Sequence, residues 1–357
     1  MNKKSVSHLP YADAARALAI SLVVILHITA SLVDKGYAAG KLNWWVANLV
    51  DSVARIGVPL FVLVSGTLLL DPHRDESLPV FLRKRFIKVL IPLLGWSIIY
   101  LAWRIFYEGE TFTLQQAFRA ILENTVAYHF WFLYMILGLY LVTPVLRVFT
   151  RIASDKDYKY FLVVWMIAVC LPPLLAQFFG ITLADFWVIV IGFSGYFVAG
   201  YFFSQVNYSP RSIRWASGLY IVTLFITLGG TYLLLRQKGE YDPYFYEYLS
   251  PNVMIMSLTA YLLLRWLPYE RFYTKLPWLS RLVAILCITS FGVYMVHVLL
   301  LSILKGGRLG FVLSGASIAP GVGILITFFA GDALQHRHRL SHAAHPNPEA
   351  FGSVNIG

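Results

Sequence analysis

Asp13-Ala-Ala-Arg16-Ala-Leu-Ala-Ile-Ser-Leu-Val-Val-Ile-Leu-His27 is the stretch of this chain whose reading decides the fold. Every residue between the arginine and the histidine is uncharged, and the apolar run continues to Val33. A helix over 11–33 is long enough to cross a hydrocarbon layer of about 30 Å. Eleven steps of about 100° bring Arg16 and His27 back to nearly one face, about 16 Å apart along the axis. Two ionisable groups on one face of a membrane helix, at two depths, are costly to bury, and such residues are functional by default.

The remainder of the chain repeats the pattern. Of its 357 residues 58% are hydrophobic and 13% charged, whereas a soluble domain carries about 25% charged residues. Uncharged runs of spanning length recur, and they predict helices over 11–33, 46–70, 86–107, 129–149, 159–179, 184–204, 215–235, 251–268, 282–304 and 312–331. The expected architecture is all-α, a polytopic transmembrane helix bundle of about ten helices. A transmembrane barrel would need short alternating strands, and a cleavable signal peptide would end in a small-residue cleavage site that the first segment lacks. With the N-terminus inside, nineteen Lys and Arg fall on cytoplasmic segments and seven on outer ones, so both termini are expected in the cytoplasm. The net charge of +11 is then satisfied by anionic headgroups and calls for no nucleic-acid partner.

No attached soluble domain is evident. Residues 1–335 are expected to form a single membrane domain, and 336–357 a disordered cytoplasmic tail. The tail is histidine-rich from His336 to His345, but nothing in it fixes a ligand geometry, so no metal site is expected. Cys170 and Cys287 lie far apart in apolar segments and read as small core residues.

Ionisable residues in the apolar segments narrow the chemistry. Arg55 lies in Ser52-Val-Ala-Arg55-Ile-Gly-Val-Pro59, and Arg85 and Lys88 share a helix face in Arg83-Lys84-Arg85-Phe-Ile-Lys88. At a cytoplasmic mouth, Arg85 and Lys88 fit a phosphate clamp, and they fit equally an ordinary positive-inside anchor. Arg55 reads either as part of a site or as half of a structural ion pair. His27 alone would be a hydrogen-bonded structural histidine. With Arg16 on its face, it also fits a reaction centre beyond a phosphate anchor, because an imidazole titrating near pH 6.5 serves as a general base with little tuning. Asp13 either orients Arg16 or simply favours the helix N-terminus. Ser290, Tyr294 and His297 form a stripe at i, i+4 and i+7 that faces a substrate or a neighbouring helix. His129 and Trp131 open the fourth helix, where Trp131 fits a sugar platform or an interfacial belt.

Taken together, Asp13, Arg16 and His27, Pro59-Leu-Phe61-Val-Leu-Val-Ser65-Gly66, Arg85-Phe-Ile-Lys88, Tyr128-His129-Phe-Trp131-Phe-Leu133 and Ser290-Phe-Gly292-Val-Tyr294-Met-Val-His297 resemble acyltransferase family 3 of integral membrane O-acyltransferases. Val46-Ala-Asn48-Leu, Ser52-Val-Ala-Arg55 and Leu141-Val-Thr-Pro144 further resemble its enterobacterial common antigen O-acetyltransferase branch. The resemblance implies transfer of an acyl group, usually acetyl, from cytoplasmic acyl-coenzyme A (acetyl-CoA) to a hydroxyl of an envelope glycan or lipid-linked saccharide, in the bacterial inner membrane. It implies that His27 is catalytic and that Arg16, Arg85 and Lys88 are essential or donor-binding. Asp13, Arg55, Ser65, His129, Trp131, Ser290, Tyr294 and His297 are then candidates for substrate contact or support. Lys88 departs from the family's usual second arginine, which keeps the charge but loses the bidentate fork. Outer tyrosines at 241, 244, 246 and 248 offer faces for sugar rings or membrane anchors. The rival reading is a transporter or flippase, in which intramembrane Arg and His line a path.

Overall fold

The computed structural model describes residues 9–34, 40–73, 76–181 and 188–305. In chain order these form α1 (Pro10–Asp34), α2 (Leu42–Ala54), α3 (Gly57–Leu69), α4 (Leu78–Phe106), α5 (Leu114–Leu122), a 3₁₀ turn (Tyr128–Phe130), α6 (Trp131–Ile152) and α7 (Asp155–Phe179). They continue with α8 (Val188–Gln205), α9 (Pro210–Lys238), a second 3₁₀ turn (Tyr244–Tyr246), α10 (Pro251–Trp266), α11 (Tyr269–Lys275) and α12 (Pro277–Lys305). There is no strand among the described residues. The expected helix at 312–331 and the tail at 336–357 lie outside them.

Seven of the helical segments are long and apolar enough to cross a membrane: Pro10–Asp34, Leu42–Leu69, Leu78–Phe106, Tyr128–Ile152, Asp155–Phe179, Pro210–Lys238 and Pro277–Leu304. Their outward faces are apolar, as with Ile91 and Ile98 of α4, Val145 and Val148 of α6, and Phe225 of α9. Such faces would be untenable in water, so the chain is an integral membrane protein. α10, at 16 residues, rises only about 24 Å. It packs inside the bundle, in contact with α9, α1, α3 and α8.

The structure revises several boundaries. The segment expected as one helix over 46–70 breaks at Arg55 and Ile56, because Pro59 has no N–H to give the Arg55 carbonyl. α4, α9 and α12 begin about five to eight residues before their expected starts. Hydropathy marks only the hydrocarbon part of a helix, and Pro79, Pro210 and Pro277 favour the first turns of the helix ends beyond it. The expected loop at 108–128 contains α5, started by a reciprocal capping box between Thr113 and Gln116. It is held to α4 by Arg104, which pairs with Glu110 through two hydrogen bonds of 2.6 and 3.1 Å and donates to the Thr125 carbonyl at 3.0 Å. This brace fixes the strap that leads into the first 3₁₀ turn.

Two glycines set the closest approach in the bundle. A Cβ on Gly66 of α3 would lie 1.8 Å from the Phe197 carbonyl oxygen, and one on Gly200 of α8 would lie 1.9 Å from that of Leu63. The two helices therefore cross backbone against backbone, as small residues permit in membranes. Thr67 seals the crossing by donating to the Gly200 carbonyl at 2.9 Å.

Candidate active site

α1 carries both halves of the site on one continuous helix, and α12 packs along it. At one end of the pair, His27 meets His297. Nδ1 of His27 lies 2.7 Å from the Val23 carbonyl oxygen and 3.3 Å from Nε2 of His297, while Nδ1 of His297 lies 2.7 Å from the Tyr294 carbonyl oxygen. A carbonyl can only accept, so each neutral ring carries its proton on Nδ1. Nε2 of His297 is then an acceptor for the His27 Nδ1–H, which it shares with Val23. The tautomer leaves the His27 lone pair on Nε2, the atom that a general base uses.

A third imidazole completes the cluster. His129, in the 3₁₀ turn before α6, is 1% exposed, and its ring centroid lies 5.1 Å from that of His297. Its backbone carbonyl accepts from the Tyr294 hydroxyl. Tyr128, its neighbour in the turn, places its ring 5.4 Å from that of His27. Three segments far apart in sequence thus deliver His27, His129 and His297 to one place. Tyr100 of α4 closes the cluster: its ring is 5.4 Å from that of His129, and its hydroxyl donates to the Met295 carbonyl at 3.0 Å. Of the stripe on α12, Tyr294 and His297 face this centre, whereas Ser290 hydrogen-bonds the Cys287 carbonyl of its own helix.

At the other end, Arg16 is half-buried and donates to the Cys287 sulfur at 3.2 Å, and the thiol is 3.2 Å from the Asp13 carboxylate. Asp13 and Arg16 are therefore bridged by α12, and Cys287 is a polar link in the site and not an inert core residue. Tyr140 of α6 lies within electrostatic reach of both Arg16 and Arg85. The Arg85 guanidinium sits 5.6 Å from the centroid of the buried Phe81 ring, and its Nε is buried without a hydrogen-bond partner among the described residues. Arg147 lies 4.5 Å from the same ring and donates to the Leu69 carbonyl at 2.7 Å, capping α3. Glu76 faces this basic group. A 2.7 Å hydrogen bond from Lys84 holds its carboxyl below the usual range, with Arg85 and Arg147 adding to the effect. Lys88 is exposed and makes no hydrogen bond or ion pair among the described residues.

The other candidates fall elsewhere. Arg55 makes a 2.8 Å ion pair with the wholly buried Asp51 and lies 4.2 Å from the Tyr246 ring centroid. Thr29 donates to the same carboxylate at 3.2 Å, and Asn48 accepts from the Tyr246 hydroxyl at 2.5 Å. Trp131 stacks on Tyr248 with centroids 5.6 Å apart. Tyr244 and Tyr246 are buried and so present no face to a sugar. Ser65 is half-buried and has no hydrogen bond among the described residues. No group of His, Cys, Asp or Glu there has the arrangement of a metal site.

Sequence reasoning read Cys287 as core and singled out neither Arg147 nor Tyr100. Their roles depend on partners more than 75 residues away, which no local pattern announces.

No curated protein and no solved structure matches the chain. The family model described as an acyltransferase domain matches residues 9–331. That match spans nearly the whole chain, including every candidate residue named above, so the protein belongs to acyltransferase family 3 and is an integral membrane acyltransferase.

Proposed function

We propose that the protein transfers an acetyl group from cytoplasmic acetyl-CoA to a hydroxyl of an envelope glycan or lipid-linked saccharide in the bacterial inner membrane, in the manner of the enterobacterial common antigen O-acetyltransferase branch. About ten crossings with both termini inside put Arg16, Arg85 and Lys88 toward the cytoplasm and His27 toward the outer half, and the excess of inner cations supports this orientation. Arg85 and Arg16, with Lys88 at the rim, hold the donor phosphates by charge-assisted hydrogen bonds. The roughly 16 Å between Arg16 and His27 matches the reach of a pantetheine arm laid along α1.

The acceptor hydroxyl gives its proton to Nε2 of His27 as its oxygen attacks the thioester carbonyl. Val23 and His297 hold the opposite edge of the ring and accept from Nδ1–H of the imidazolium that forms. The observation that carries this reading is the pairing of the two rings at 3.3 Å, with each Nδ1 on a backbone carbonyl. An imidazole oriented at Nδ1, with Nε2 left as its basic atom, suits proton removal from an attacking hydroxyl.

The test is thiol release from acetyl-CoA by purified protein, beside acetylation of envelope glycan in cells. His27→Ala is expected to lower the rate about 10²–10⁴-fold, and Arg85→Glu to weaken donor binding with little effect on acceptor binding. Near-normal glycan acetylation by His27→Ala at matched protein level overturns the reading.

A further inference from the structure

Among the buried polar side chains of the described residues, His129 is left with the most unused hydrogen-bonding atoms. Both of its ring nitrogens are buried and neither has a hydrogen-bond partner among the described residues. A neutral imidazole offers one N–H and one lone pair, and leaving buried groups unsatisfied costs about 1–3 kcal/mol each. The ring is packed edge to face against Phe130 and Tyr294 and tilted against Tyr100. Phenylalanine would suit such surroundings as well without that cost. The fold nevertheless fixes the residue, with the Tyr294 hydroxyl on its carbonyl and with the Arg104 and Glu110 brace holding the strap that leads to it. Its ring lies beside His297 and within electrostatic reach of His27. A buried polar group kept unpaired at a reaction centre is accounted for when its partner arrives with the substrate.

We propose that His129 is a catalytic residue whose ring N–H binds the thioester carbonyl oxygen and holds the oxyanion formed from it. The proposal rests on the acyl-transfer reading of His27. The hydroxyl oxygen of the acceptor bonds to the carbonyl carbon, its proton passes to Nε2 of His27, and the carbonyl π pair moves onto the oxygen held by His129. The oxyanion then collapses and the C–S bond breaks. The coenzyme A sulfur leaves with the bonding pair and takes the proton back from His27, giving the ester, the free thiol and the enzyme unchanged. A donor aimed at developing charge inside a dry site contributes most in the transition state, where the charge is largest.

The experiment uses the full chain in detergent or nanodiscs with acetyl-CoA as the probe, and compares His129→Leu, His129→Gln and His27→Ala. Turnover is followed by thiol release, and the carbonyl stretch of bound carbonyl-labelled acetyl-CoA is read by infrared difference spectroscopy. His129→Leu is expected to lower kcat about 10²–10³-fold with a much smaller loss of donor binding, and to shift the bound carbonyl stretch to higher frequency. His129→Gln, which keeps an N–H donor, is expected to recover at least about tenfold of that loss and part of the frequency shift. The same carbonyl frequency in wild type and His129→Leu overturns the proposal even if no turnover occurs without an acceptor. So does a kcat for His129→Leu within about threefold of wild type, against the larger loss expected for an oxyanion donor. A His129→Gln variant that melts like wild type yet recovers neither rate nor frequency also overturns it. Wild-type protein that does not bind acetyl-CoA, or His27→Ala that cleaves it normally, brings down the acyl-transfer reading instead.

Discussion

Asp51 and His129 are each almost wholly shut away from solvent, at 0% and 1% exposure, yet their neighbourhoods treat them in opposite ways. Around Asp51, Arg55 supplies an ion pair, Thr29 a hydroxyl, and Tyr246 a ring beneath the guanidinium, while Asn48 ties Tyr246 and Leu228 to the same region. Among the described residues of this cluster, only Nε of Arg55 is left over. Around His129, aromatic rings pack close and neither ring nitrogen has a hydrogen-bond partner among the described residues. The first cluster is closed on itself and joins α1, α2, α9 and the second 3₁₀ turn. The second holds three imidazoles together with hydrogen-bonding capacity to spare. The two residues are alike in burial, and what separates them is the number of donors and acceptors left unused.

The contrast breaks most visibly through Asp51. Asp51→Ala strands a buried guanidinium and is expected to cost about 3–5 kcal/mol, read as a lower unfolding midpoint in mixed detergent. An Asp51→Leu and Arg55→Met double variant should regain most of that loss, because apolar replacement of a whole buried pair is often neutral. A single variant as stable as wild type would remove the structural role assigned to this cluster. At the histidines the effect should fall on rate. His297→Leu is expected to lower kcat about 10–100-fold, the range seen when the partner that orients a metal-ligating imidazole is lost, with KM for acetyl-CoA and the unfolding midpoint little changed. His297→Gln, whose amide oxygen still accepts from Nδ1–H of His27, should restore part of it. A rise in KM with unchanged kcat would make His297 a binding residue instead.

The smallest effect concerns the strap between α4 and the first 3₁₀ turn. The Arg104 hydrogen bonds hold the Glu110 carboxyl below the usual glutamate range. A depressed carboxyl pKa means that its stabilisation is present above the unfolded-state value and is lost as pH falls through the folded one. Hydrogen exchange across 107–127 should therefore quicken as pH drops below the ordinary glutamate range, after correction for intrinsic exchange rates. Glu110→Gln should exchange faster already at neutral pH and lose that pH dependence.

Helices and their order were readable because membrane helices advertise themselves by length and apolarity. The break at Arg55 was readable in principle from Pro59, although a continuous apolar run hid it. Local periodicity placed Arg16 and His27 on one face and Tyr294 and His297 on another, and it could do no more, since a period describes one helix at a time. The meeting of His27 with His297 spans 270 positions and is set by how α1 and α12 pack. The same limit hid Cys287, whose thiol looked like one more small apolar side chain until Arg16 and Asp13 came to it. The pairing of Arg85 with Lys88, natural at a spacing of three, is loosened in the fold: Arg85 rests against Phe81 while Lys88 stays exposed.

The backbone contact between α3 and α8 bears on how mutational maps of this protein are interpreted. At Gly66 and Gly200 even a methyl group would run into a carbonyl oxygen, so saturation mutagenesis scored by growth or product should rank both positions beside His27. The damage there would be to assembly, uniform across substitutions and accompanied by loss of protein from the membrane. Scoring abundance alongside activity would separate the scaffold's intolerance from the chemistry's, and would leave the imidazoles as the positions where protein persists and product does not.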